Sequence, residues 1–219
     1  MSSELLRNLR STVHQGKLEV RSIPRCPEII LNLLTQDYPR GKLTNEEMLA
    51  IIDKPAYWAF CWASGQVTAR FLLDNPTVCK HKTVIDFGSG SGVVSIAAAL
   101  SGADSVIACD NDANARAAIL ENARLNLIEQ IEVISDLNQL TSKPDVLIAS
   151  DVLYDRDNLG ILDSLSEHCD LAFIADSRVR DHKIFDEYRL VSKEKSKTVP
   201  DLDEFEEFSL VSLYERRFR

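Results

Sequence analysis

Hydrophobic and polar positions alternate in blocks from residue 83 onwards, where short apolar runs are separated by stretches with helical periodicity. The apolar runs predict β-strands and the periodic stretches predict helices. In order, the predicted elements are strand 83–87, helix 93–101, strand 105–109, helix 113–126, strand 131–134, strand 145–149, helix 157–167, strand 170–175, helix 181–188, and strands 190–194 and 207–215. This alternation favours a mostly parallel Rossmann-like α/β sheet with helices on both faces and an antiparallel C-terminal hairpin.

The N-terminal part of the chain does not follow this alternation. Helical periodicity predicts one helix over 4–14 and a second over 46–52, the latter preceded by capping residues. We therefore predict an N-terminal helical extension over 1–55, followed by the Rossmann-like domain over 56–219. The extension either caps the substrate entrance or simply packs against the sheet.

Three glycines at alternate positions follow the first predicted strand of the sheet. Free N–H groups at the start of the next helix make such a turn an anion-binding site. The dinucleotide fingerprint does not fit, because Val93 stands where its third glycine is needed. The pattern instead resembles the first motif of class I methyltransferases, (Asp/Glu)-x-Gly-x-Gly-x-Gly, which bind S-adenosylmethionine. The alternative is a tight turn without a ligand. The turn residues expected to bind the cofactor are Asp86, Gly88, Ser89, Gly90 and Gly92.

Further polar residues follow the next strands, and ligands of such sheets bind beyond the carboxyl ends of the strands. Asp110 stands about 20 residues beyond the glycine turn, where a carboxylate accepts hydrogen bonds from a ribose diol. Asn111 follows it, and Asp136 after the third strand is placed to accept a hydrogen bond from the adenine amino group. The alternatives are that Asp110 caps the following helix and that Asp136 is an ordinary loop residue.

Both tryptophans of the chain lie four residues apart just before the sheet begins. Trp62 is assigned to the wall of the cofactor or substrate pocket, where an indole can stack on an adenine or contact a cation. Trp58 is a second, less favoured candidate for the same role. The alternative for both side chains is packing in the core.

The segment after the fourth predicted strand reads Ser150-Asp151-Val152-Leu153-Tyr154-Asp155. Methyltransferases place their substrate-facing residues at this position. The Pro-Pro motif of enzymes that methylate base amino groups is absent, which disfavours a nucleic-acid base as acceptor. We expect Asp151 to dock the substrate ammonium and Tyr154 to help desolvate it, both as catalytic residues. Loop capping by Asp151 and core packing by Tyr154 are the alternatives.

The chain resembles the electron transfer flavoprotein β-subunit lysine methyltransferase family, a group of seven-strand protein-lysine methyltransferases. The resemblance covers roughly residues 27–176, and its segments are 27–35, 55–62, 70–76, 86–92 and 151–155. It implies the class I fold and S-adenosylmethionine as cofactor, with S-adenosylhomocysteine as product. It also implies methylation of lysines on a protein partner, with the flavoprotein β subunit suspected.

The chain departs from the family pattern in two segments. Family members tend to have Trp-Pro-Gly-Gly where this chain has Trp62-Ala63-Ser64-Gly65, and they often have Gly-Asp-Pro-Gly-Arg where it has Ala175-Asp176-Ser177-Arg178. Cofactor use is therefore a firmer expectation than the identity of the target.

Composition narrows the remaining classes of function. The formal net charge of −9 disfavours a DNA or RNA duplex as partner. No apolar run reaches the ~18 residues of a membrane span, and no metal site is expected. Five cysteines without a C-x-x-C pair indicate reduced thiols. We expect a cytoplasmic location, or the mitochondrial matrix in a eukaryote.

Other functions remain open at the sequence level. The same core could serve a small-molecule amine or nicotinamide-type N-methyltransferase, or modify a different protein, such as a ribosomal or translation protein. A non-catalytic module that kept the fold is disfavoured by the intact glycine turn and by the carboxylates Asp86, Asp110 and Asp151.

Overall fold

A seven-stranded sheet forms the centre of the computed structural model, which describes residues 3–38, 41, 44–179 and 182–218. The strands of this sheet are β3 (Thr83–Phe87), β4 (Ser105–Cys109), β5 (Ile131–Ile134), β6 (Val146–Ser150), β7 (Leu171–Asp176), β8 (Arg189–Lys195) and β9 (Leu210–Arg217). Two further strands, β1 (Leu18–Ile23) and β2 (Cys26–Leu34), form a separate two-stranded sheet. The helices are α1 (Ser3–Arg10), α2 (Asn45–Asp53), α3 (Ala63–Asp74), α4 (Val93–Leu100), α5 (Ala113–Leu125) and α6 (Ile161–His168).

The large sheet has the order β5-β4-β3-β6-β7-β9-β8. The first five strands in this order are parallel, and β9 runs antiparallel between β7 and β8. The predicted fold class is therefore confirmed. Strands buried on both faces read as continuous apolar runs, as β7 does with all six residues buried.

Alternate residues of each strand face two separate apolar clusters. Val84 and Ile148 contribute to the larger cluster, which α3, α4 and α5 cover. Ile85 and Leu147 point the other way, into the cluster that α6 covers. This two-sided packing keeps the strand ends in a fixed register, and loops at those ends carry the site described below.

The N-terminal extension is not purely helical, in contrast to the sequence-based expectation. Both expected helices are present, as α1 and α2, but β1 and β2 form an antiparallel hairpin between them. The edge of β2 is bonded to α5. Asn126 Oδ1 accepts from the Ile30 N–H (3.0 Å), and Asn122 Oδ1 accepts from the Asn32 N–H (2.8 Å). These partners lie far away in sequence, so local periodicity did not reveal the strands.

Three helix predictions differ from the structure. The predicted helix 181–188 is wrong, since only a 3-10 turn at His182–Phe185 forms there; Asp181 lies outside the described residues. The predicted helix 157–167 begins as a 3-10 turn and becomes α6 only at Ile161. Apolar periodicity also predicts a helix over 67–73, and the structure has it as α3, which begins four residues earlier, at Ala63.

Candidate active site

A cleft of about 1330 Å³ opens at the carboxyl ends of β3, β4 and β6. Because β3 lies between β4 and β6, the chain leaves β3 towards one side of the sheet and later returns on the other. Open α/β sheets bind ligands at such a switch point. The predicted site residues that line the cleft are Trp62, Gly88, Gly90, Asp110, Asn111, Asp136, Asp151 and Tyr154. The predicted residues that do not line it are Asp86, Ser89 and Gly92.

The glycine turn follows β3 with positive φ angles at Gly88 (+71°), Gly90 (+53°) and Gly92 (+82°). A Cβ at Gly88 would lie 2.3 Å from Val152 Cγ1, so only glycine fits against the segment after β6. A Cβ at Gly90 would have no neighbour nearer than 4.0 Å. The turn therefore brings bare backbone to the cleft wall.

Asp86 lies behind this turn and is buried. Its Oδ2 accepts hydrogen bonds from the N–H (3.0 Å) and the hydroxyl (2.6 Å) of Ser95, near the start of α4. Burial raises the pKa of Asp86 to about 7. Ser89 lies beside it and donates its hydroxyl to the Asp86 carbonyl (2.7 Å). Both residues therefore fix the position of α4 on β3 and with it the shape of the turn.

Asp110 links the glycine turn to β4. Its Oδ2 accepts from the Gly90 N–H (2.8 Å), and its Oδ1 accepts from the Asp112 N–H (3.0 Å). The cap of α5 is Asp112, which accepts from the Asn114 N–H (2.8 Å). Burial raises the pKa of Asp110. Because each carboxylate oxygen has about two acceptor sites, each keeps one for a ligand.

Asn111 and Asp136 form the exposed rim of the cleft beside Asp110. The Asn111 carbonyl accepts a hydrogen bond from Arg116 (2.9 Å). Asp136 Oδ1 accepts from the Asn138 N–H (2.7 Å) and caps the 3-10 turn Leu137–Gln139. Asp136 thus combines the loop role with a position on the cleft wall.

Asp151 follows β6 and is buried, with a left-handed backbone conformation (φ +53°). Its Oδ2 accepts from the Ser64 N–H (2.9 Å), and its Oδ1 accepts from the hydroxyls of Ser64 (2.6 Å) and Ser177 (3.1 Å). Burial raises the pKa of Asp151, and the Ser64 hydrogen bonds lower it. The carboxylate therefore joins the start of α3 to the ends of β6 and β7.

A row of aromatic rings lines the same cleft. Tyr57 packs edge-on against Trp62 (centroids 5.6 Å apart) on one side and Tyr154 (5.7 Å) on the other. Tyr154 is 52% exposed, and burial of its hydroxyl end raises its pKa to about 12. Trp58 also borders the cleft, but it is 1% exposed and packs in the apolar cluster around α1, so it offers a ligand almost no surface. The row therefore offers ring surface to a ligand from three residues that lie in two separate segments.

Arg178 closes one end of this row. Its guanidinium carbon lies 5.5 Å from the centre of the Trp62 ring and 5.0 Å from that of Phe208, and it forms an ion pair with Glu204. Glu204 also accepts the Thr198 hydroxyl (2.6 Å). These contacts attach the segment between β8 and β9 to the rim of the cleft.

The cleft wall includes residues that sequence reasoning missed, among them Tyr57, Asn158, Arg178 and Glu204. Tyr57 belongs to the aromatic segment that contains both tryptophans, and this signal could have identified it. Arg178 follows β7 at the same sheet edge as Asp151. Glu204 lies in an acidic segment whose composition predicts a solvated loop, and no local sequence feature distinguishes it from the other acidic residues there.

The described part of the chain contains no cluster of His, Cys, Asp and Glu side chains arranged to hold a metal ion. None of the helices within it is long and apolar enough to cross a membrane. All five cysteines are free and buried.

Comparison with known proteins places these features in a family context. Residues 68–156 match the family model described as Ribosomal protein L11 methyltransferase (PrmA). The electron transfer flavoprotein β subunit lysine methyltransferase of Rattus norvegicus is 38% identical over 149 residues, which is 67% of this chain and 57% of that protein. The protein of the same name from Homo sapiens is 40% identical over 143 residues, 64% of this chain and 52% of that protein. The chain thus spans about half the length of these curated relatives, and the resemblance found in the motifs is confirmed.

Solved structures agree on the fold. A putative methyltransferase from Streptococcus mutans superposes with a TM-score of 0.60 at 13% identity, covering 92% of this chain and 55% of the other. A ribosomal protein L11 methylase from Lactobacillus delbrueckii gives 0.55 at 23% identity (71% and 79%). Magnesium protoporphyrin IX methyltransferase from Synechocystis, solved with bound S-adenosylmethionine, gives 0.54 at 18% identity (81% and 86%). The chain therefore has the class I methyltransferase fold.

Proposed function

We propose that this chain is an S-adenosylmethionine-dependent methyltransferase that modifies lysine side chains of a protein. One observation carries the proposal: a single cleft gathers the glycine turn, Asp110, Asp151 and Tyr154. Its support from comparison is the 38% and 40% identity to relatives named electron transfer flavoprotein β subunit lysine methyltransferase.

The cofactor half of the cleft fits a nucleoside with a charged tail. Gly88 and Gly90 present backbone without side chains, and the remaining acceptor sites of Asp110 suit two ribose hydroxyls. Asn111 and Asp136 on the rim suit the adenine, and Trp62 suits the wall of the pocket. Asp86, Ser89 and Gly92 act indirectly, by fixing the turn and α4 behind it.

The acceptor half must hold a lysine and make its amine neutral. A lysine with a pKa near 10.4 costs about 4–5 kcal/mol to deprotonate at pH 7. The exposed faces of Tyr57 and Tyr154 would attract the ammonium and remove water from it. Asp151, with one acceptor site left on Oδ2, would orient the amine, and the proton would leave to water.

Bound S-adenosylmethionine would supply a methyl group on a positively charged sulfur, which leaves as a neutral thioether when the amine nitrogen bonds to the methyl carbon. No acid is needed for such a leaving group. The chain's own contribution is to hold the amine in line, about 3 Å from the methyl carbon, and to exclude water.

We assign the β subunit of electron transfer flavoprotein as the target, following the names of the relatives. The net charge of −9 supports a partner with a lysine-bearing basic face. Five free buried thiols support a reducing compartment, the cytoplasm or, in a eukaryote, the mitochondrial matrix.

The test is incubation of the purified chain with radiolabelled S-adenosylmethionine and three acceptors: the folded flavoprotein β subunit, ribosomal protein L11 and a panel of small amines. Mass spectrometry should find methyl-lysine on the β subunit. Cofactor binding without label on that subunit would overturn the target but not the methyltransferase. Absence of cofactor binding by calorimetry would overturn both.

Ribosomal protein L11 is the second candidate target, because the matching family model carries its name. That match covers residues 68–156 only, which contain the glycine turn and Asp110 but neither α2 nor Arg178. The flavoprotein relatives match a longer part of the chain, so the β subunit stands first.

A further inference from the structure

The backbone and the carboxylate of Asp151 are both fixed by hydrogen bonds, although the residue lies in a loop at the cleft. It is 7% exposed and has a left-handed backbone conformation, which few residues other than glycine adopt readily. Its N–H donates to the Ala175 carbonyl (2.9 Å), which fixes the peptide against β7. The position of its carboxylate is then set by its hydrogen-bond donors.

Two of those donors are serine hydroxyls that come from different elements. Ser64 lies in the first turn of α3 and is fully buried, and Ser177 follows β7 and is 8% exposed. Both hydroxyls converge on Oδ1, at 2.6 and 3.1 Å, whereas Oδ2 accepts one backbone N–H. With about two acceptor sites per oxygen, Oδ1 is saturated and Oδ2 keeps one site.

We propose that Ser64 and Ser177 are positioning residues of the methyl-transfer site, which act through Asp151 by occupying Oδ1 and leaving Oδ2 as the oxygen that meets the substrate amine. The inference rests on the proposed function. Both serines stand in the two segments where the chain departs from the pattern of the family it resembles.

The pKa of Asp151 depends on the serine hydroxyls and on the other groups that face its carboxylate. Asp176 disfavours the ionised form and Arg178 favours it, both from the end of β7, while burial disfavours it most strongly. Tyr154, from Asp151's own loop, has a raised pKa and stays neutral. Hydrogen bonds donated to a carboxylate favour its ionised form. Removing the serine hydroxyls therefore raises the pKa of Asp151 and loosens its orientation.

The experiment compares Ser64→Ala, Ser177→Ala and the double variant with Ser101→Ala. Ser101 is a matched control, because its buried hydroxyl donates to the Leu72 carbonyl (3.0 Å) between α3 and α4 and not to the site. For the double variant we expect kcat to fall at least tenfold and the acidic limb of kcat/KM to move up by about half a pH unit or more. S-adenosylmethionine affinity should stay within a few fold. Ser177→Thr keeps a hydroxyl at this position, so it should retain most of the activity that Ser177→Ala loses.

A second measurement does not depend on turnover. The carboxyl ¹³C signal of Asp151, assigned with Asp151→Asn, is titrated in the wild-type protein and the double variant. A higher pKa in the variant supports the proposal; an unchanged pKa overturns it, even if the wild-type protein methylates nothing offered. A second outcome would also overturn the proposal. If the double variant loses activity but keeps the wild-type pH profile, and its melting temperature falls as much as that of Ser101→Ala, the serines act only on the stability of the fold.

Discussion

Asp110 illustrates at the residue scale how one carboxylate serves the fold and the proposed ligand together. Its two backbone hydrogen bonds fix the glycine turn, and two acceptor sites remain for a ligand in the cleft that it lines. The same double use recurs at Asp151. Asp86, by contrast, is used entirely within the fold.

Asp110→Ala should lower S-adenosylmethionine affinity at least tenfold, because charge-assisted hydrogen bonds contribute about 1.5–3 kcal/mol. Isothermal calorimetry measures the affinity, and circular dichroism checks the fold. Asp74→Ala is the control, since it removes an exposed carboxylate that pairs with Arg70 away from the cleft and should leave affinity unchanged. Unchanged affinity in Asp110→Ala would contradict the ribose role.

Tyr154 should act through its ring more than through its hydroxyl. Its ring packs against Tyr57 in the cleft. Tyr154→Phe keeps that ring face, so kcat should fall by no more than a few fold, whereas Tyr154→Ala should lower it by about 10-fold to 100-fold. Steady-state kinetics with saturating cofactor separates the two. Equal losses in both variants would point to the hydroxyl instead.

At the scale of elements, the hairpin β1–β2 is bonded to two asparagines, Asn122 in α5 and Asn126 at the C-terminal cap of that helix. Asn126 accepts from the Ile30 N–H (3.0 Å) and donates to the Ile30 carbonyl (2.7 Å), which pairs the edge of β2 that faces away from β1. Asn126→Ala should destabilise the protein by about 1–3 kcal/mol, because partly buried backbone groups lose their partner. Urea unfolding measures the loss, and hydrogen exchange at Ile30 should quicken.

The control for that measurement is Asn75→Ala. Asn75 donates to the Phe71 carbonyl (2.8 Å) at an exposed helix end, where water replaces the lost bond. Its effect should stay within about 0.5 kcal/mol. Equal losses at both positions would mean that the hairpin does not depend on Asn126.

The elements also differ in how far the sequence predicts them. Strands 83–87, 105–109 and 131–134 match the structure residue for residue, because each is a short, mainly apolar run bounded by polar or turn residues. The hairpin was not predicted because β2 is a largely buried apolar run without the alternation of a half-buried strand, and periodicity alone does not separate such a run from a helix. The cleft residues at strand ends were predictable from topology. The partners of Asp151 were not, since Ser64 is 87 residues distant and only the folded chain brings it there.

At the scale of the whole molecule, buried carboxylates make stability depend on pH in an unusual direction. Burial raises the pKa of Asp86 to about 7, and it raises those of Asp110, Asp151 and Asp176 as well. A carboxyl whose folded pKa lies above its unfolded value of 3.8 binds more protons when folded. Its contribution to stability is complete below that unfolded value and is lost as the pH rises through the folded one.

Asp86→Asn should therefore flatten the dependence of stability on pH. Relative to the variant, the wild-type protein should lose stability between about pH 4 and 7, with a slope of at most ~1.4 kcal/mol per pH unit. Denaturant unfolding at several pH values gives the difference curve. A difference that does not vary across this range would contradict the raised pKa of Asp86.

A protein substrate should cover more of the surface than the cleft. α2 buries none of its residues, and Met48, Leu49 and Ile52 expose apolar side chains on one face. The helix leads directly into Asp53, Lys54 and Pro55 at the cleft mouth. Three side chains are too few for a stable dimer, which needs roughly 800 Å² per partner. Together with the cleft they suit the surface around a target lysine.

Replacement of Leu49 and Ile52 by serine should raise KM for the folded flavoprotein β subunit by about tenfold and leave turnover of a short lysine peptide unchanged. Leu127→Ser is the control, since Leu127 is 92% exposed beyond the end of α5. An unchanged KM would remove α2 from the interface. If the wild-type chain self-associates and the variant with both Leu49 and Ile52 replaced does not, the exposed apolar face of α2 binds a second copy of this chain instead.

The position of β9 has a consequence for the order in which a ribosome delivers this chain. β9 is made after β8 yet lies between β7 and β8, so β8 emerges before its neighbour exists. Until β9 inserts, β7 keeps an open edge, including Asp176, which pairs with Ser212. Ser177 and Arg178 follow that edge directly. The glycine turn and Asp110 can thus assemble before β9 has been made, but the side of the cleft that carries Ser177 and Arg178 is completed only after β9 has inserted.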